Sequence, residues 1–142
     1  MSVPRIHIVT LGVGDLSRSR RFYEAWGWKA SSVSNENIVF LKGGAWVLAL
    51  YGRDALAEDA LAEDLPTGFS AITLARNASS KEEVDAWFAT ALAAGARELK
   101  TPQEAFWGGY SGYLADPDGH LWELAFNPYF VFDDHGNLAL PD

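Results

Sequence analysis

Phe106 to Pro128 reads FWGGYSGYLADPDGHLWELAFNP, and its centre is a turn. In Asp116-Pro117-Asp118-Gly119 the proline sets φ early, the aspartates bond back to the backbone, and the glycine takes the positive φ that closes the reversal. Strands are therefore expected on both sides, over Tyr110 to Ala115 and Leu121 to Phe126. In the second of these, Leu121, Glu123 and Ala125 alternate with Trp122, Leu124 and Phe126. A period of two puts Glu123 on one face and the large apolar side chains on the other. A carboxylate in that company has to be hydrogen-bonded, paired, hydrated or protonated, because an unpaired buried charge is costly.

Upstream of the hairpin, Ala71-Ile72-Thr73-Leu74 is a strand candidate. Ser80-Lys81-Glu82-Glu83 is a capping box, and Val84, Trp87, Phe88 and Leu92 follow it at helical spacing until Gly95. Arg97 to Lys100 supplies a further strand, so this half of the chain reads β-α-β-β-β. The first half has the same order. Arg5 to Val13 is a β-branched strand, and a helix follows, capped by Asp15 or Ser17, carrying Leu16, Phe22, Tyr23 and Trp26, and ended by Gly27. Strands over Trp28 to Ser34, Ile38 to Lys42 and Ala45 to Tyr51 are separated by turns at Asn35-Glu36-Asn37 and Gly43-Gly44. Ala71-Ile72-Thr73-Leu74 echoes Ile8-Val9-Thr10-Leu11.

The chain thus divides into a first module over about residues 5–51, a linker over 52–68, a second module over about 69–128 and a tail over 129–142. The linker repeats Ala-Leu-Ala-Glu-Asp, ends in Pro66-Thr67-Gly68, and reads as a solvated acidic spacer with a helical turn. Two modules, each too small to bury its own sheet, are expected to form one α+β domain. Their strands would make a single curved mixed sheet around a cup, with the helices outside. The apolar tail from Tyr129 to Phe132 is expected to lie across a sheet or a second subunit.

Composition narrows the function classes. With 142 residues, 49% of them hydrophobic and 13% aromatic, the chain can build a substantial core. Its net charge of -8 argues against nucleic-acid and anionic-membrane partners. Without cysteine there is no disulfide framework, thiolate metal site or thiol nucleophile. No window approaches the roughly 20 apolar residues of a membrane span, and a cytoplasmic protein is the expectation.

Two motifs with their spacing carry a resemblance. Thr10-Leu11-Gly12-Val13-Gly14-Asp15-Leu16 with Ser19-Arg20-Arg21-Phe22-Tyr23-Glu24 and Gly27-Trp28, and then Asp116-Pro117-Asp118-Gly119-His120-Leu121-Trp122-Glu123-Leu124, resemble the vicinal oxygen chelate superfamily. That group includes glyoxalase I, extradiol dioxygenases, fosfomycin-resistance enzymes and bleomycin-resistance proteins. The resemblance implies the paired-module fold and a homodimer. In metal-dependent members each module offers one ligand from its first strand and one from its last. Carried onto this chain, those positions fall on Ile8, Leu48, Ala71 and Glu123, with Trp46 matching Leu121, and only Glu123 can ligate. His7 would reach the site only through a bulge, because a shift of one residue turns a strand side chain to the opposite face. His120 closes the turn, and His135 belongs to the exposed tail.

No metal and no cofactor is therefore expected, and Glu123 is the sole catalytic candidate. The ligand-binding candidates are Glu123, with Trp107, Tyr110 and Trp46 as aromatic walls and Thr10 and Thr73 on the floor. The leading expectation is metal-free binding of a small organic ligand, a cation among the candidates, as in bleomycin-resistance-like sequestration or carriage. One alternative is a glyoxalase-like lyase, isomerase or dioxygenase, with a metal site departing from the family pattern or with Glu123 as general base. Another is a structural dimer whose cup is filled by its own side chains.

Overall fold

The computed structural model describes residues 5–65 and 68–142. They form two compact units. One takes the described residues up to Leu65 together with Asp134 to Asn137, and the other those from Gly68 to Asp133 together with Leu138 to Asp142. Pro66 and Thr67, read as the end of the linker, lie outside the described residues.

The first unit contains β1 (Ile8–Val13), α1 (Leu16–Ala25), β2 (Ile38–Gly43), β3 (Trp46–Gly52) and α2 (Arg53–Asp59). Its sheet has the order β1-β3-β2, with β1 parallel and β2 antiparallel to the central β3. Asp15 caps α1, its Oδ1 accepting the Arg18 N–H at 3.0 Å. At the other end Gly27 takes φ +107, and the Trp28 N–H returns to the Tyr23 carbonyl at 2.8 Å. Phe22, Tyr23 and Trp26 of this segment are buried with Leu11, Val13, Val39, Leu41, Leu48 and Leu50 of the sheet. The Tyr23 ring meets Trp28 edge-on at 6.2 Å, and Trp28 meets Trp46 at 6.4 Å.

Two expectations change in this unit. The strand read over Trp28 to Ser34 contracts to a single bridge, Ala30 to Leu41. Main-chain bonds join Lys42 N to Lys29 O and Ser31 N to Phe40 O. Beyond them the Ser34 hydroxyl accepts the Phe40 N–H at 2.9 Å, so a side chain occupies the place of the next ladder bond. In the linker the helical turn grows into the seven-residue α2, which follows β3 directly and packs beside β1 and β3. Its Ala-Leu-Ala core favours helix. A bidentate pair from Arg53 to Asp64, at 2.7–3.0 Å, folds the following chain back on it.

The second unit contains β4 (Leu74–Ala78), α3 (Lys81–Ala94), β5 (Arg97–Glu104), β6 (Tyr110–Ala115) and β7 (Leu121–Phe126) in the order β4-β7-β6-β5. A short hairpin of β8 (Val131–Phe132) and β9 (Leu138–Ala139) occupies the tail read as lying across a sheet or subunit. β4 runs parallel to β7, and the other neighbours are antiparallel. Ser80 caps α3, its Oγ accepting the Glu83 N–H at 3.1 Å, while the Glu83 carboxylate reaches back to the Ser79 N–H at 3.0 Å. Gly95 ends the helix at φ +118.

α3 lies on the face of this sheet that carries Leu114, Trp122 and Leu124, all fully buried with Val84, Phe88 and Ala91 of the helix. Burial of each large side chain there contributes about 1.5–3 kcal/mol. β5 extends past Lys100 to Glu104, with register shifts around Lys100, and the bulged chain passes so close to Gly112 that a Cβ there would lie 2.8 Å from Lys100 O. The architecture is mixed α+β, with βαβββ order in the second half and, in the first, the same order with its second strand reduced to the Ala30–Leu41 bridge, each helix on one face of its sheet. Among the described residues no helix is long and apolar enough to cross a membrane.

Candidate functional site

The turn at Asp116 positions the site. Asp116 is buried, and its Oδ1 accepts the N–H groups of Asp118 at 2.9 Å and His120 at 2.8 Å. The Gly119 N–H returns to the Asp116 carbonyl at 3.0 Å with Gly119 at φ +87. Thus His120 closes the turn through its backbone. From there the ladder pairs Ala115 with Leu121, Leu114 with Trp122, and Tyr113 with Glu123.

Glu123 is flanked in register by Tyr113 on β6 and Ala75 on β4. One pair further along stand Ser111, Ala125 and Asn77, on the same face of the sheet. This is the face turned away from α3. The Tyr113 hydroxyl donates to Glu123 Oε2 at 3.1 Å. Burial first, then the Glu123 charge and this hydrogen bond, push the Tyr113 phenol above its ordinary value. Among the described residues no cation forms an ion pair with Glu123; Lys100, next across from Tyr113 on β5, makes none.

A cavity of about 210 Å³ opens over this row, lined by Glu123, Asn77 and Ser111 below and by Trp107, Tyr110 and Phe130 at its sides. Trp107 comes from the turn between β5 and β6. Ala105 N to Gly109 O at 2.8 Å and Gly108 N to Ala105 O at 3.0 Å hold that turn, and Gly108 takes φ +99. Tyr110 also lines the cavity, although its hydroxyl is turned to α3 and donates to Asp85 Oδ1 at 2.6 Å. That bond to a carboxylate, with lesser burial and Coulombic effects, pushes the Tyr110 phenol up to about 12.

Of the residues singled out in the sequence, Glu123, Trp107 and Tyr110 meet in this cavity. Thr73 precedes β4, is exposed, and does not line it. Thr10 and Trp46 belong to the first unit: Thr10 pairs with Ala49 on the exposed face of its sheet, and Trp46 borders another cavity, of about 410 Å³, with Arg5 and His7. Asn77, Ser111, Tyr113 and Phe130 were missed. For Tyr113 the signal was present, because counting outward from a turn closed at Asp116 and His120 puts it opposite Glu123.

The positions carried over for metal ligands also need correction. Leu48 lies on the α1 side of its sheet, fully buried with Leu50, so it is not the counterpart of Glu123 on an open face. Ala71 stands before β4 at φ +60, and the residue beside Glu123 is Ala75. Ile8 does stand on the open face, paired with Val47. The β1 ladder runs without a register shift, and the Val47 N–H bonds to the His7 carbonyl, so no bulge brings the His7 side chain to that face. Among the described residues no three His, Asp or Glu side chains converge as a metal site would need. One carboxylate beside Ala75 and a tyrosine does not fit the four-donor set of the family's metal-dependent members.

The arrangement can accept a hydrogen bond or balance a positive charge at Glu123, can donate and accept at Asn77 and Ser111, and can stack apolar groups on Trp107 and Phe130. Comparisons with known proteins agree on the fold. The chain is 34% identical to a glyoxalase-related enzyme from Fulvimarina pelagi, with TM-score 0.88 over 99% of this chain and 100% of that one. A glyoxalase/bleomycin resistance protein/dioxygenase from Nocardioides is 26% identical, with TM-score 0.72 over 89% of this chain and 85% of that one. A lactoylglutathione lyase from Agrobacterium tumefaciens is 23% identical, with TM-score 0.68 over 93% and 100% of the two chains, a likeness of fold alone. No curated protein sequence matches the chain. The model of one family matches residues 5–124, and on that match the chain belongs to the glyoxalase/bleomycin resistance protein/dioxygenase superfamily.

Proposed function

We propose that the chain binds a small organic cation at Glu123, without a metal. The observation that carries this reading is the state of the carboxylate: half-buried on the floor of an aromatic-walled cavity, it is hydrogen-bonded to Tyr113 and paired with no cation among the described residues. A positively charged ligand would complete it, with its apolar part against Trp107 and Phe130. Asn77 and Ser111 would orient polar substituents.

The test is calorimetric titration with phenyltrimethylammonium and its neutral carbon isostere tert-butylbenzene. The parent should bind the cation more tightly. Glu123→Gln keeps an acceptor for the Tyr113 hydroxyl while removing the charge, and should weaken the cation by about tenfold, near 1.4 kcal/mol, with little effect on the isostere. Equal cation binding by parent and variant would defeat the proposal.

A second reading has its own support, since the Fulvimarina pelagi protein, 34% identical, is described as a glyoxalase-related enzyme. In that reading Glu123 is a general base, with the Tyr113 hydroxyl as the neighbouring acid. Turnover with a single-limb pH dependence that vanishes in Glu123→Gln would favour it.

A further inference from the structure

We propose that Trp107, seated on Gly109, limits the site to a single ring bearing a compact cationic head; this deepens the reading of Glu123 as a cation anchor and rests on it. Nothing in the backbone of Gly109 requires glycine, since its φ lies outside the left-handed region. Space does. A Cβ built on Gly109 would overlap the six-membered ring of the Trp107 indole. The indole therefore lies where any other residue would place its side chain. The two hydrogen bonds across Ala105, Gly108 and Gly109 fix the turn that delivers it there.

Trp107 thereby serves as a wall of the cavity contributed by a turn, whereas the floor at Asn77, Ser111 and Glu123 belongs to paired strands. Volume then sets the ligand class. A cavity of about 150 Å³ holds a benzene ring. The cavity here, about 210 Å³ and open to solvent on one side, takes a ring and a small head group, and in our proposal Trp107 is the wall that a second ring would meet. Gly109 is a positioning residue in this scheme and acts only through the indole.

The experiment compares phenyltrimethylammonium with its biphenyl homologue on the intact chain, Trp107→Ala and Gly109→Ala, by calorimetry. Fluorine NMR of protein labelled with 5-fluorotryptophan, which reports each of the six tryptophans separately, accompanies it. The parent should prefer the one-ring cation by about tenfold or more, and Trp107→Ala should abolish that preference. Gly109→Ala should move the Trp107 resonance, leave the other tryptophans in place, and lower the affinity for the one-ring cation. An unchanged preference in Trp107→Ala overturns the size limit, and a Trp107 resonance indifferent to Gly109→Ala overturns the seat. Should Gly109→Ala fail to fold, the same change in the Trp107→Ala background has no indole to displace and should fold as that parent does; if it too fails, the seat is wrong. Binding of neither probe to the parent overturns the cation reading and the size limit together, while the fluorine resonances still judge the seat on their own.

Discussion

Tyr110 and Tyr113 stand three positions apart on one strand, yet each donates its hydroxyl to a carboxylate in a different setting. Tyr113 faces Glu123 within the sheet, while Tyr110 reaches Asp85 on α3. The Tyr110 bond gives a pH signature whose sign follows from linkage. Its folded pKa of about 12 stands above an unfolded value near 10. A raised pKa contributes stability that is fully present below about pH 10 and is lost as the pH rises towards 12. Tyr110→Phe should therefore lower the unfolding free energy by about 0.5–1 kcal/mol at neutral pH, a small amount because the pair is exposed to solvent. In urea titrations the gap between parent and variant should stay level from pH 6 to 9 and close above pH 10; a gap that widens with alkali would exclude the assigned bond.

Among the elements, the β6–β7 hairpin is the one most completely readable in the sequence, because its cause is local. Asp116, Pro117 and Gly119 each act on neighbours within four residues, and both strands have the expected bounds. Asp116→Ala would leave the Asp118 and His120 N–H groups without their acceptor in a part-buried turn, at a cost of about 2 kcal/mol. Thermal or urea unfolding should show that loss, and a cost within error of zero would mean that the strands hold the turn unaided. The segment from Trp28 to Ser34 was less legible. Its residues suit a strand, but Ser31 and Ser34 offer hydroxyls that compete for backbone partners, and whether they do so depends on how β2 approaches. β5 outran its expected end for a related reason: bulges accommodate Pro102 beside Gly112, and a register shift leaves no periodic trace.

For the molecule as a whole, the donor count among the described residues, one carboxylate at the site, underlies the proposal of binding without a metal. Protein purified without chelator should carry well under one equivalent of divalent metal. Its melting temperature should respond alike to magnesium, manganese and zinc in parent and Glu123→Ala. Near-stoichiometric metal present in the parent and lost in the variant, measured by elemental analysis, would contradict the donor count.

What the sequence determined by itself is governed by short spacing: the turns, the helix caps, the βαβββ order of the second half with all but one strand of the first, and the placement of Glu123 on the face opposite Trp122 and Leu124. Local sterics and a period of two or of 3.6 suffice for these. Only the tertiary structure decided the strand pairings, because the parallel registers of β1 on β3 and of β4 on β7 join segments about 40 to 50 residues apart through packing, with no local code for the offset. That register turned Leu48 into core, put Ala75 rather than Ala71 beside Glu123, and brought Asn77 into the same cavity lining as the carboxylate. The seat of the Trp107 indole on Gly109 has the same origin: two glycines in the sequence announced a flexible turn, but the volume that one of them leaves open is visible only once the ring lies in it.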